Sequence, residues 1–133
     1  MNQRGFATLE VILMVMVIGI LASIAIPRFG NVTAEANTAK IRADLATIDT
    51  AISLYIMDGG TVTSSTTVGD LKDYLKGASD INPPTGQCYV GKKTPQNVPA
   101  TTYTIQEATA NDEARAICGT GNTAEKFYKG TTD

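Results

Sequence analysis

The sequence predicts an α+β chain: one long N-terminal α-helix, apolar in its first half, packed against a small antiparallel sheet. Three observations predict it. From Val11 to Ile26 no residue carries a charge, and nearly all are Val, Ile, Leu, Met or Ala. Between Asn31 and Met57 the apolar residues recur at helical spacing. Beyond Gly59-Gly60 the chain turns to short runs broken by Gly, Pro, Asn and Asp, the pattern of small strands and turns.

The first element is the apolar helix. Phe6 to Ile26 is 21 residues, which as a helix would extend about 31 Å, the hydrocarbon thickness of a bilayer. Three readings compete for it. A cleaved secretory signal needs a short apolar region followed by small residues at the cut. Ser23-Ile24-Ala25 offers a poor version of that cut, the run is long, and Glu10 lies near its start. A plain single-pass anchor explains length and apolarity but leaves Glu10 without a role, since a carboxylate in lipid costs free energy unless it finds a partner or snorkels to the interface.

The third reading comes from Gln3-Arg4-Gly5-Phe6-Ala7-Thr8-Leu9-Glu10, followed by the uninterrupted apolar run. This stretch resembles the N-terminus of type IV prepilins and type II secretion pseudopilins. The resemblance implies the pilin fold and a leader of residues 1–5, which a prepilin peptidase removes by cutting between Gly5 and Phe6. It implies N-methylation of Phe6, which leaves the new ammonium positive. It also implies that Glu10, the fifth residue of the mature chain, pairs with the N-terminal amine of a neighbouring subunit. Such a pair relieves two desolvation costs together and fixes the register between subunits. There is one departure: the family usually places Thr-Leu directly after the Phe, whereas here Ala7 intervenes and Thr8-Leu9 come one position later. Gly19 and Pro27 bracket the second half of the run. Both are helix-weakening residues tolerated in membrane spans as a kink or packing contact; the resemblance implies that the stretch between them unwinds on assembly.

The helix is then expected to continue to about Met57, so that Phe6 to Met57 forms one rod of roughly 75–80 Å. Ile41, Leu45, Ile48, Ile52 and Ile56 make its apolar stripe, with Tyr55 beside them and Arg42, Asp49 and Ser53 away from it. Such a stripe packs on the protein's own core. Gly59-Gly60 ends the helix. A Ser/Thr-rich connection follows, and Thr67 with Asp70 has capping-box spacing, opening a short helix over 67–76 through Leu71, Tyr74 and Leu75 that Gly77 stops. Pro83-Pro84 makes a turn. Strands are predicted at 87–90, 102–106 and 114–118 in one antiparallel sheet within about 87–118. The organisation is thus a leader (1–5), a hydrophobic transmembrane or polymerisation helix (6–27) and a head (28–133).

The two cysteines, Cys88 and Cys118, lie on the first and third of these strands. Behind an export or membrane signal, a lone pair reads as one disulfide. Its loop of about 30 residues would be worth roughly 3–4 kcal/mol on the chain-entropy account. The other reading, two free buried thiols in a cytosolic protein, fits poorly with the apolar segment upstream.

Ten of eleven basic and twelve of thirteen acidic residues follow Pro27, so the polar part is close to neutral and carries no footprint for nucleic acid. Lys92-Lys93 is the one feature that would meet DNA phosphates, and two loop lysines serve equally as a solvated tip. The absence of histidine excludes a triad or general-base histidine, and neither a phosphate-binding glycine loop nor a zinc spacing occurs. Asn111-Asp112-Glu113 could offer oxygen ligands to calcium but reads first as a turn. No enzyme activity, cofactor or metal is expected.

The expected function is structural: a subunit of a type IV pilus or similar surface filament, a homo-oligomer supporting adhesion, motility or DNA uptake. The implied partners are the prepilin peptidase, an assembly platform protein, an assembly ATPase and, before assembly, the inner membrane. The alternatives are a pseudopilin of a periplasmic pseudopilus and an exported binding domain on a membrane anchor. The resemblance favours a true pilin if the disulfide is present, because the commonest pseudopilin heads rely on calcium.

Overall fold

The computed structural model describes residues 3–25 and 29–132. The chain divides into two units, with the boundary between Val32 and Thr33. The first contains helix α1 (Gln3–Ala25). Its large apolar side chains, from Phe6 to Ile24, are exposed all round, the signature of a helix whose natural surroundings are apolar. By length and composition, Gln3–Ile24 can cross a bilayer. Its hydroxyls are satisfied within the helix: Thr8 Oγ1 donates to the Gly5 carbonyl at 3.0 Å and Ser23 Oγ to the Ile20 carbonyl at 2.7 Å. Nothing but Glu10 then breaks its apolar surface between Phe6 and Ile24 with a charge.

The second unit is built on α2 (Phe29–Met57). Ile41, Leu45, Ile48 and Ile52 are fully buried, as their spacing predicts, joined by Ala34, Thr38 and Ala51. Ile56 is a correction: it is 47% exposed. Steps of four drift about 40° each around a 3.6-residue helix, so by Ile56 the stripe has rotated off the core. Tyr55 takes the place, half-buried and edge-on to Tyr74 with ring centroids 5.9 Å apart. The helix ends as expected. Gly59 adopts φ +88°, its N–H donates to the Ile56 carbonyl at 3.0 Å and that of Gly60 to Tyr55 at 2.9 Å, which is a Schellman closure.

The helix expected over 67–76 is shorter and tighter. A 3₁₀ helix covers Val68–Leu71, and turns carry the chain to Asp80. Its start is the predicted one: Asp70 Oδ2 accepts from both the Thr67 N–H and Oγ1 at 2.8 Å. These bonds hold the exposed Asp70 carboxyl below its ordinary pKa. Gly69, Asp70 and Asp73 are poor helix formers; Val68 and Leu71 reach the core from the 3₁₀ helix, and Leu75 and Ala78 from the turns after it.

The expected single sheet is two separate antiparallel pairs. β1 (Gln87–Cys88) pairs with β2 (Gln96–Asn97), and β3 (Tyr103–Gln106) with β4 (Arg115–Cys118). Both longer strands were expected within a residue. β1 stops two residues early because the Tyr89 N–H donates to Thr38 Oγ1 on α2, at 2.8 Å, rather than to a strand. β2 was not anticipated; Pro95 and Pro99 frame it, and proline cannot donate to a ladder. Tyr103, Ile105, Ala116 and Cys118 turn inward and join the stripe of α2 in one core with Phe127.

Candidate functional site

The predicted processing and assembly residues all lie in α1. The Gly5–Phe6 peptide is helical, Gly5 has open space around it, and Phe6 is 78% exposed. Glu10 stands four residues after Phe6, one turn along the same side. It is exposed and enters no ion pair among the described residues. Gly19 is helical, with nothing near the position a Cβ would take. Pro27 lies outside the described residues.

The head carries Cys88 and Cys118, which the fold places on different strand pairs, β1 and β4, within one core. Both are present as buried thiols. Burial pushes the Cys88 thiol up and the Cys118 thiol up to about 11, against a backbone hydrogen bond at Ala100 and with a further push from charge at Cys88. The Tyr103 hydroxyl is also pushed well above its usual range, by burial and by its 2.8 Å bond to Asp44 Oδ2.

Sequence reasoning missed the polar residues of α2 that fasten the head to it. Asp49, placed away from the stripe, accepts the buried Ala116 N–H at 2.6 Å and the Arg115 guanidinium at 3.4 Å. Arg115 also pairs with Glu125, which holds that carboxyl down to about 2. Asn37 Nδ2 donates to the carbonyls of Gln87 at 2.9 Å and Thr85 at 3.2 Å. Lys40, paired with Asp44, reaches the Asn82 carbonyl at 3.1 Å. The available signal was position at the edge of the stripe: Lys40, Asp44 and Asp49 each adjoin a buried apolar residue, and Asn37 adjoins the buried Thr38. Asp49→Ala should therefore lower head stability by about 1–3 kcal/mol, because it strands a buried N–H. Asp49→Asn, which keeps an acceptor, should lose less; denaturant titration of both variants checks this.

The remaining sequence candidates are ordinary surface. Thr109 and Asp112 close a turn, Thr109 N–H to Asp112 carbonyl at 2.8 Å, which positions Asn111-Asp112-Glu113 between β3 and β4. Lys92 and Lys93 are exposed and strapped to the C-terminal segment: Gly130 N–H donates to the Lys92 carbonyl at 3.0 Å, and Lys93 N–H to the Thr132 carbonyl at 2.9 Å.

Comparison with known proteins points one way. The chain is 35% identical over 68 residues to a fimbrial protein of Pseudomonas aeruginosa, covering 51% of this chain and 44% of that protein. It is 35% identical over 77 residues to a type IV major fimbrial protein FimA of Dichelobacter nodosus, covering 58% and 48%. It is 32% identical over 57 residues to a type II secretion system core protein G of Klebsiella michiganensis, covering 43% and 40%. The chain thus spans less than half the length of these relatives. No family profile matches it, and no solved structure does. These relatives support the type IV pilin and pseudopilin family that the N-terminal residues resemble.

Proposed function

We propose that this relative of type IV pilins and pseudopilins is a subunit of a type IV pilus, stored in the inner membrane through α1 and assembled into a surface filament. In this reading a prepilin peptidase cuts after Gly5, Phe6 becomes the N-methylated first residue, and Glu10 meets the Phe6 ammonium of a neighbour. Residues 6–27 form the lipid-embedded and later filament-core helix, and residues 28–133 the head. Gly19 and Pro27 mark the stretch that unwinds on assembly. An assembly platform protein and an ATPase drive extrusion; the pilin itself catalyses no reaction. The observation that carries the reading is a lone carboxylate, Glu10, which is the one charge between Phe6 and Ile24 on a helix whose large apolar side chains are exposed all round. An ion pair is what such a group requires in a low-dielectric setting.

The head is locked by a Cys88–Cys118 bridge in this proposal. Both thiols are buried in one core, where an oxidant reaches them poorly once the head has packed, so the bond closes as the head folds rather than afterwards. One measurement tests the processing and the bridge together. The intact mass of the mature chain should lack residues 1–5, gain one methyl group and be lighter by two hydrogens. An unprocessed N-terminus would sink the filament reading; unchanged mass after reduction would remove the bridge alone. Similarity to a type II secretion core protein G favours a second reading, a periplasmic pseudopilin. Long filaments on intact cells, seen by negative-stain microscopy, decide for the pilus.

A further inference from the structure

Between α2 and the end of the chain lies a groove of about 500 Å³, floored by Ala39, Ala43 and Ala46 and walled by Tyr89, Phe127 and Tyr128. Two rim charges are already matched: Lys129 Nζ is 3.0 Å from Glu35 and 5.2 Å from the Tyr89 ring centroid. The third, Arg42, is exposed and pairs with no carboxylate among the described residues. Further along the same helix, Leu54 and Met57 project as a knob, 45% and 82% exposed, beside Asp58. They are three residues apart and so adjacent on the helix surface. Met57 stands about 21 Å beyond Ala43 along the axis, and within about 40° of it around the helix.

We propose that Leu54 and Met57 of one chain seat in the alanine-floored groove of a second copy, with Asp58 set against Arg42. The inference rests on the filament reading, in which chains anchored by the same apolar helix all point the same way. Parallel copies cannot pair these patches by an antiparallel two-fold; because knob and groove lie on the same side of the helix, they meet when one copy is turned about half a revolution about the axis and shifted along it by that same spacing. The fit follows from three properties. Alanines leave room for large side chains, the walls are aromatic, and the charges beside knob and groove are opposite. Because knob and groove occupy different places on one molecule, the contact does not close on itself, and each added copy presents a new groove.

The test uses the full chain in cells, with Ala43→Cys and Met57→Cys combined and a mild oxidant applied. The expected result is a ladder of cross-linked oligomers from the double variant and none from either single variant. Charge reversal gives an independent readout. Arg42→Glu and Asp58→Arg should each lower sheared filament several-fold, and the two together should restore it. Filaments without a ladder, and indifferent to both reversals, overturn this contact and leave the pilus reading intact. A ladder in membranes of cells that never make filaments upholds the contact and overturns the pilus reading. Absence of both overturns both. Dimers from Met57→Cys alone would mean that the knob meets its own copy or another surface, which also overturns the contact.

Discussion

Glu10→Ala should leave the precursor in the membrane and reduce filaments by more than about tenfold. The number follows from the charge balance. An unpaired carboxylate or ammonium in a low-dielectric core costs several kcal/mol, and about 1.4 kcal/mol already changes an equilibrium tenfold. On the proposed assembly, loss of the carboxylate leaves the Phe6 ammonium of a neighbour without a counter-charge, on a helix that offers none elsewhere between Phe6 and Ile24. Insertion, by contrast, depends on the apolar length of α1, which the substitution preserves. Membrane fractionation and sheared-filament yield separate the two steps. Wild-type filament levels from this variant would remove the role assigned to Glu10.

Leu45→Ala should destabilise the head by about 2–5 kcal/mol, the range for truncating a buried leucine. Leu45 is completely buried at the centre of the stripe, between Ile41 and Ile48, in the core that the strand pairs and Phe127 share. A head of about a hundred residues has on the order of 5–15 kcal/mol to lose. Urea titration of the detergent-solubilised chain should show the midpoint falling steeply, while Thr47→Ala on the exposed side of the same helix shifts it little. Equal effects at the two positions would mean that the stripe is not what holds the head.

The core-facing stretch of α2 and its end were legible because their determinants are local. Ile41, Leu45, Ile48 and Ile52 repeat at the helix's own period, and Gly59-Gly60 stands where an αL residue is needed; the structure uses all of them as read. The head was less legible because its order is set by distant partners. β1 ends where Thr38, 51 residues away, claims the Tyr89 N–H. Ala116 is fixed by Asp49, 67 residues away. Nothing in Gln96-Asn97 announces a strand; it is one because Gln87 and Cys88 lie opposite. For the candidate site, the informative signal was a charge out of place, which a single sequence displays plainly. The groove and its knob were invisible there, since alanines and a terminal Met57 acquire meaning only when the chain end folds over α2.

The brevity of the strand pairs has a consequence for a chain that, on the proposed function, packs against copies of itself. Two residues in β1 and β2 and four in β3 and β4 leave little free edge for a stranger's backbone to extend, and Pro95 and Pro99 deny donors beside β2. Heads crowded side by side, as the proposed filament requires, would be exposed to runaway amyloid-like stacking if they carried long open sheets. Side chains of α2 take up several of the head's backbone groups as well, at Asn82, Thr85, Gln87, Tyr89 and Ala116, which leaves fewer of them for another chain.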